Sequence, residues 1–203
     1  MYEEVFMNPL ADVNVNTGKE FVSMDEMVQE AAEHDCDAIV NCTGLGSQSL
    51  CEDEQLQGAR GILYHYDRNC PRWTDPRMVN DAVLGADDPP WGDDQPCYMI
   101  PRGDVIVIGG SYLLGDVEDG IRVNEHTKLE QNAHLLGIDT KLAKPVAEWT
   151  GFRPYRPGVR LEVDSQFGVS EGIKVVHNYG HGGSGWTVYV GAAKEVARLL
   201  GRE

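Results

Sequence analysis

The segment from Ile173 to Leu200 leaves a chain little choice of local structure. Ile173-Lys-Val-Val-His177 is a β-branched run that reads as a buried strand, and the glycine-rich stretch GHGGSG follows at residues 180 to 185. From about Thr187 the sequence turns helical, with Val188, Ala192, Val196 and Leu199 on one face. Strand, glycine turn and helix in this order form half of an α/β unit. Gly180, Gly182 and Gly185 also spell G-x-G-x-x-G, the letter pattern of a dinucleotide-binding turn. That pattern needs a second parallel strand ending in an acidic residue roughly 20 positions on, and the helix instead runs to Leu200, with the sequence ending at Glu203. The run is therefore not expected to open a dinucleotide-binding βαβ unit. Two readings stay open: a helix-packing turn, or a site where glycine amides and the positive end of a helix dipole meet an electron-rich group.

Upstream, Ser23-Met-Asp-Glu26 is a capping box that opens a helix to about His34. Ala38-Ile-Val-Asn41 reads as a short buried strand broken by Cys42-Thr-Gly44. Thr43 and Gly44 thus stand at the C-terminal end of a strand, where α/β proteins bind ligands, although an ordinary loop exit looks the same. From Arg60 the pattern becomes β-rich: GILYHYD, CYMIP and DVIVIGG are separated by the acidic, Pro/Gly-rich loop GADDPPWGDDQP. Asn124 to about Leu136 and Lys141 to Trp149 read as helices, the second kinked or interrupted by Pro145, and Leu161-Glu-Val as a strand. The fold class expected is α/β with a β-rich insertion.

Charge and composition exclude several functions. A net charge of −16 with no Lys/Arg-rich run repels nucleic acid and anionic membranes. No apolar stretch approaches the roughly 20 residues of a membrane span, and MYEEVFMNPL has no signal-peptide character, so a cytoplasmic location is expected. Five cysteines without C-x-x-C spacing point to free buried thiols, not to a disulfide framework or a zinc site. His177 and His181 flank a glycine turn with no third ligand nearby, so they read as structural histidines and no metal is expected. In Gly151-Phe-Arg-Pro-Tyr-Arg-Pro157 the prolines hold the backbone around Arg153 and Arg156, a way to aim a guanidinium fork at a carboxylate. In so acidic a chain, pairing with structural acids is the alternative, and it is the favoured one for Arg156. Tyr98, on the strand edge Pro96 to Pro101, either hydrogen-bonds the same carboxylate or is a half-buried strand aromatic.

In order along the chain, VNCTG at 40 to 44, ARG at 59 to 61, YMIP with IGG following, TGFRPYRP at 150 to 157 and VHNYGHGGSGWT at 176 to 187 resemble the D-amino-acid oxidase family, which includes D-aspartate oxidase. The match is collinear over roughly residues 21 to 203. The resemblance implies a mixed α/β (α+β) flavoprotein fold. Residues 1–60 and 151–203 would be part of an FAD-binding, Rossmann-like domain, and residues 61–150 an inserted β-rich substrate-binding domain. It implies oxidation of a D-amino acid by hydride transfer from Cα to flavin N5. O₂ then reoxidises the flavin to give H₂O₂, and the imino acid hydrolyses to a 2-oxo acid and ammonia.

By the same resemblance Arg153 grips the substrate carboxylate, Tyr98 hydrogen-bonds it, and the Gly183 backbone touches the substrate. Gly182, Gly183, Ser184, Gly185, Trp186 and Thr187 lie against the flavin ring, and Thr43 and Val22 are further FAD contacts. No side chain has to act as a general base. The family's FAD fingerprint lies in an N-terminal segment with no counterpart in these residues, so the chain alone is expected to bind FAD weakly or not at all. An inactive fragment or a non-catalytic binding module is the alternative function. The lid tyrosine of the animal enzymes has no counterpart near Gly92-Asp-Asp-Gln95. Where members acting on acidic substrates carry an arginine, this sequence has Ser111 and Tyr112, which implies neutral D-amino acids. The other partners implied are O₂ and, among allowed assemblies, a homodimer. The C-terminal GRE is not the peroxisomal tripeptide of many eukaryotic relatives.

Overall fold

Ser23 starts the first helix, α1 (Met24–Glu33), by accepting the Glu26 amide at 3.2 Å on its hydroxyl. The Glu26 carboxylate completes the cap one residue earlier than the pattern implies, taking the Val22 amide at 2.8 Å. Met24, Val28 and Ala31, spaced by helical turns, are buried with Leu50, Ile173 and Val175. The chain then forms β1 (Ala38–Asn41), a 3₁₀ turn (Gly44–Gly46) and the single-turn α2 (Ser47–Leu50). A run of strands follows: β2 (Gln57–Asp67), β3 (Val83–Leu84), β4 (Tyr98–Arg102), β5 (Val105–Gly109) and β6 (Leu113–Leu114). Next come α3 (Val123–Leu135), the long β7 (Ala147–Val163), β8 (Lys174–His181), a second 3₁₀ turn (Gly182–Ser184) and α4 (Gly185–Leu200). The computed structural model describes residues 18–70, 80–85, 95–139, 141 and 143–202.

The strands form one open mixed sheet in the order β1-β8-β7-β2-β5-β4-β3, with β6 beside β2. Among the described residues only β1 and β8 pair in parallel; the other pairings are antiparallel. Period-two alternation divides the β2-β5-β4 portion into two faces. Ile62, Tyr64, Tyr66, Met99, Ile106 and Ile108 point to one face and bury Leu129 and Ala133 of α3 against it. Arg60 on this face is fully buried and forked onto Glu125 of α3 at 2.8 and 2.9 Å. The opposite face carries Leu63, Tyr98, Trp149, Arg153 and Tyr155, all short of full burial.

Three expectations change. The helix read over Lys141 to Trp149 is absent; residues from Ala147 belong to β7, whose 17 residues run on to Val163. Pro145 cannot continue a helix, and β2 and β8 on either side satisfy β7's backbone as a central strand. The last helix begins two residues before Thr187, at Gly185, and of its expected apolar face Ala192 and Val196 are buried while Val188 is 40% exposed. All five cysteines are free, as expected, but Cys36 and Cys42 are exposed.

Candidate active site

The parallel pair β1 and β8 runs in register, Asn41 opposite His177, and each strand breaks into a 3₁₀ turn at the same end of the sheet. Each turn has a glycine in the left-handed region, Gly44 at φ +57° and Gly182 at φ +56°, where a side chain would be strained. No side chain caps the start of α4, and Gly183 and Ser184 before it are exposed, so the positive end of a 16-residue helix faces outward.

Asn41 sets the first turn. Its Oδ1 accepts the Thr43 amide at 3.1 Å, the Thr43 hydroxyl at 2.8 Å and the Ser47 hydroxyl at 3.3 Å. Its Nδ2 donates to His177 Nδ1 at 3.1 Å, which leaves the ring proton on Nε2, donated to Asp164 at 2.9 Å. Burial lowers the His177 pKa, and Arg160 adds to the effect against the pull of Asp164, so the imidazole is neutral. Both ring nitrogens are committed within the fold, as a structural histidine requires. Among the described residues no His/Cys/Asp/Glu group is arranged to hold a metal ion.

Both turns close on residues 153 to 156 of β7. A Cβ placed on Gly44 would touch Pro154 at 3.7 Å, and one on Gly183 would touch the Arg153 side chain at 3.5 Å. A Cβ on Gly182 would come within 2.7 Å of the Tyr112 hydroxyl. Gly180, at φ +87°, leaves room for the Arg156 side chain, where β7 slips its register against β8 between Tyr155 and Arg160. The glycine pattern that resembles a dinucleotide turn thus serves a bulge at Gly180, a turn at Gly182 and a helix start at Gly185.

Arg153 is half-buried. Its Nη1 donates to the Ser111 carbonyl at 3.2 Å, and its guanidinium carbon lies 5.4 Å from the centre of the Tyr112 ring. Tyr98 stands beside it: burial raises the phenol's pKa and the Arg153 charge offsets part of that rise. Glycines leave space for both side chains, since a Cβ on Gly61 would collide with the guanidinium and one on Gly109 with the Tyr98 ring. Arg60, Arg122, Arg156, Arg160, Arg198 and Arg202 each hold a carboxylate, Arg156 through Asp53 at 3.0 Å. Arg153 has no ion pair with any described residue.

The structure therefore gathers Arg153, Tyr98, Gly182 and Gly183, with the Thr43 turn packed nearby. Ser184, Gly185, Trp186 and Thr187 continue from the same turn into α4. Val22 is elsewhere, in a polar cleft of about 580 Å³ with Ser49, Cys51, Arg160 and Asp164, and its amide is already taken by Glu26. Gly92 to Asp94 lie outside the described residues; Gln95 accepts the Tyr112 amide at 2.7 Å. Tyr155 is an unanticipated member, edge-on to Tyr112 with ring centres 6.1 Å apart. The signal for it was the alternation Gly151, Arg153, Tyr155, three positions of one strand face.

Residues 6–199 match the family described as "FAD dependent oxidoreductase". A D-amino-acid oxidase of Streptomyces coelicolor is 31% identical over 86% of this chain and 50% of its own length. Human D-aspartate oxidase is 29% identical over 81% of this chain and 44% of its own length. The chain thus spans about half the length of the curated relatives it matches. The fold is similar to that of glycine oxidase from Bacillus cereus, with a TM-score of 0.63 at 15% identity over 83% of this chain and 44% of that one. It is also similar to that of L-proline dehydrogenase from P. horikoshii, with a TM-score of 0.59 at 12% identity over 82% and 43%. With nearly its whole length inside the family match, the chain belongs to the FAD-dependent oxidoreductases.

Proposed function

We propose that this chain is the substrate-facing part of a D-amino-acid oxidase that deaminates neutral D-amino acids to 2-oxo acids, ammonia and H₂O₂. One observation carries the reading: Arg153 is a half-buried guanidinium with no acidic partner among the described residues, in a chain of net charge −16. A cation withdrawn from water and left uncompensated is unfavourable, and a substrate carboxylate completes it fork to fork. Tyr98 adds a donor, and its raised pKa keeps the phenol protonated at neutral pH. Ser111 and Tyr112 bring no second cation, which supports neutral side chains over acidic ones.

The residues present fit FAD. The uncapped start of α4, reached through a glycine turn in which a side chain at Gly182 would meet Tyr112, suits the electron-rich edge of a flat ring. Gly182, Gly183, Ser184, Gly185, Trp186 and Thr187 would hold it, with Thr43 on the neighbouring turn. A Val22 contact would fall to its carbonyl or side chain. Bound there, FAD supplies the two-electron acceptor for the substrate Cα–H bond, with O₂ as the final oxidant. The chain's own part is to fix the carboxylate at Arg153 and Tyr98, to offer the Gly183 backbone to the substrate, and to direct the helix dipole at accumulating negative charge. In this arrangement residues 61–150 form a substrate-binding extension of the sheet, with the boundaries at 60/61 and 150/151 falling inside β2 and β7.

Calorimetric titration with D-alanine tests the reading. Arg153→Ala should weaken binding roughly tenfold or more, in line with about 1.5–3 kcal/mol for a hydrogen bond to a charged group. Equal affinity in wild type and variant would sink the carboxylate assignment.

A further inference from the structure

Trp149, a large side chain on the face that carries Arg153, has no task in the proposed reaction. Trp149 precedes Arg153 on β7 by four positions, so alternation puts both on one face, and its side chain leaves the residue 54% exposed. The indole lies flat along its own strand, where a Cβ on Gly151 would collide with its six-membered ring. Gly151 is the direct cross-strand partner of Gly61, over which the Arg153 guanidinium lies. Directly paired residues of an antiparallel ladder are roughly 4.5–5.5 Å apart at Cα, so the indole edge and the guanidinium are neighbours on one floor. Leu63 pairs with Trp149 on one side and with Gly109, beneath Tyr98, on the other. A clamp for a carboxylate therefore borders directly on an apolar strip of Leu63 and Trp149.

We propose that Trp149, flanked by Leu63, is the platform for the substrate's side chain and makes the chain prefer D-amino acids with aromatic or branched apolar side chains. The proposal rests on Arg153 as the carboxylate anchor. An anchored carboxylate leaves the rest of a small amino acid within one side-chain length of the floor. An indole offers that side chain a broad, rigid surface at little cost in rotamer entropy. The three glycines Gly61, Gly109 and Gly151 are what let Arg153, Tyr98 and Trp149 lie flat, so the floor stays shallow.

The test compares binding of propionate and 3-phenylpropionate, which share a carboxylate and differ by a ring. Wild type should bind 3-phenylpropionate roughly threefold to tenfold tighter, the range of one aromatic pair. Trp149→Ala should bring that ratio close to one while leaving propionate affinity unchanged, and Trp149→Phe should restore part of it. Arg153→Ala should weaken both acids alike. A ratio that survives Trp149→Ala overturns the platform and leaves the anchor standing. Binding of both acids that ignores Arg153→Ala overturns the anchor and the platform with it.

Discussion

At the scale of single residues, the site depends on side chains that are missing as much as on those present. Arg153 stands out in the sequence because Pro154 and Pro157, following the Phe-Arg and Tyr-Arg pairs, signal a held backbone, and Tyr98 because it sits on a strand edge. Gly61, within the stretch Ala59-Arg-Gly61, carried no signal for its role. Its neighbour Arg153 is 92 positions away in sequence and beside it only through the β2–β7 ladder. Gly61→Ala places a methyl group against the guanidinium, whose nearest carbon would be 2.8 Å away. The far end of an arginine moves more readily than a backbone, so a stability loss of less than about 1 kcal/mol is expected, together with a severalfold loss of carboxylate affinity. Chemical denaturation and calorimetric titration of the same preparation check both halves of that expectation.

At the scale of elements, α1, α3 and α4 were legible, whereas the start of the long strand read as a helix. α1 and α3 were read to within a residue or two, α1 from its capping box, a local signal. β7 contains Gly151, Pro154, Pro157 and Gly158, which argue against a central strand when read locally. Its neighbours override them: Pro154 sits opposite Gly58, and Pro157 and Gly158 fall in the bulge between Tyr155 and Arg160. Asp53 braces this bulge, accepting Arg156 Nε at 3.0 Å and the Tyr179 hydroxyl at 2.8 Å, while Arg160 donates to the same hydroxyl at 2.9 Å. Burial works to raise the Asp53 pKa, but hydrogen bonds from Tyr179 and the Gln55 amide, with Arg156, hold it below the ordinary value. Asp53→Ala would strand a buried phenol and a guanidinium, and should lower stability by about 1–3 kcal/mol in urea titration. A loss below about 0.5 kcal/mol would mean that the bulge does not need this brace.

At the scale of the whole molecule, the buried chain of Asp164, His177, Asn41 and Thr43 ties the β7–β8 connection to the turn after β1. It also makes stability depend on pH in a definite direction. The folded-state pKa of His177 lies below its ordinary 6.5, so on acidification the unfolded chain takes up the proton first. The contribution is complete above pH 6.5 and is lost as pH falls through the folded-state value. From this group the slope cannot exceed about 1.4 kcal/mol per pH unit. Urea midpoints taken between about pH 7.5 and 5.5 should fall with pH in wild type and flatten in the His177→Gln variant, whatever that variant's stability at the upper end. An equal slope in both would remove His177 as the source.

The sequence by itself determined α1, α3 and α4 to within a few residues, the short strands β1 and β8 with the glycine turns that follow them, and the placing of an arginine in a held segment, because caps, periodicity and turn chemistry act within a few residues. Tertiary structure alone decided that β1 and β8 pair in parallel, that β7 is one long strand, that Arg153 has no acid among the described residues while the acid held by Arg156 is Asp53, and that Tyr112, Tyr155 and Trp149 share the floor with Arg153. Those facts depend on ladder register and on which charges meet across the sheet. Register is a property of strand pairs whose members lie on the order of a hundred residues apart, and no local pattern encodes it.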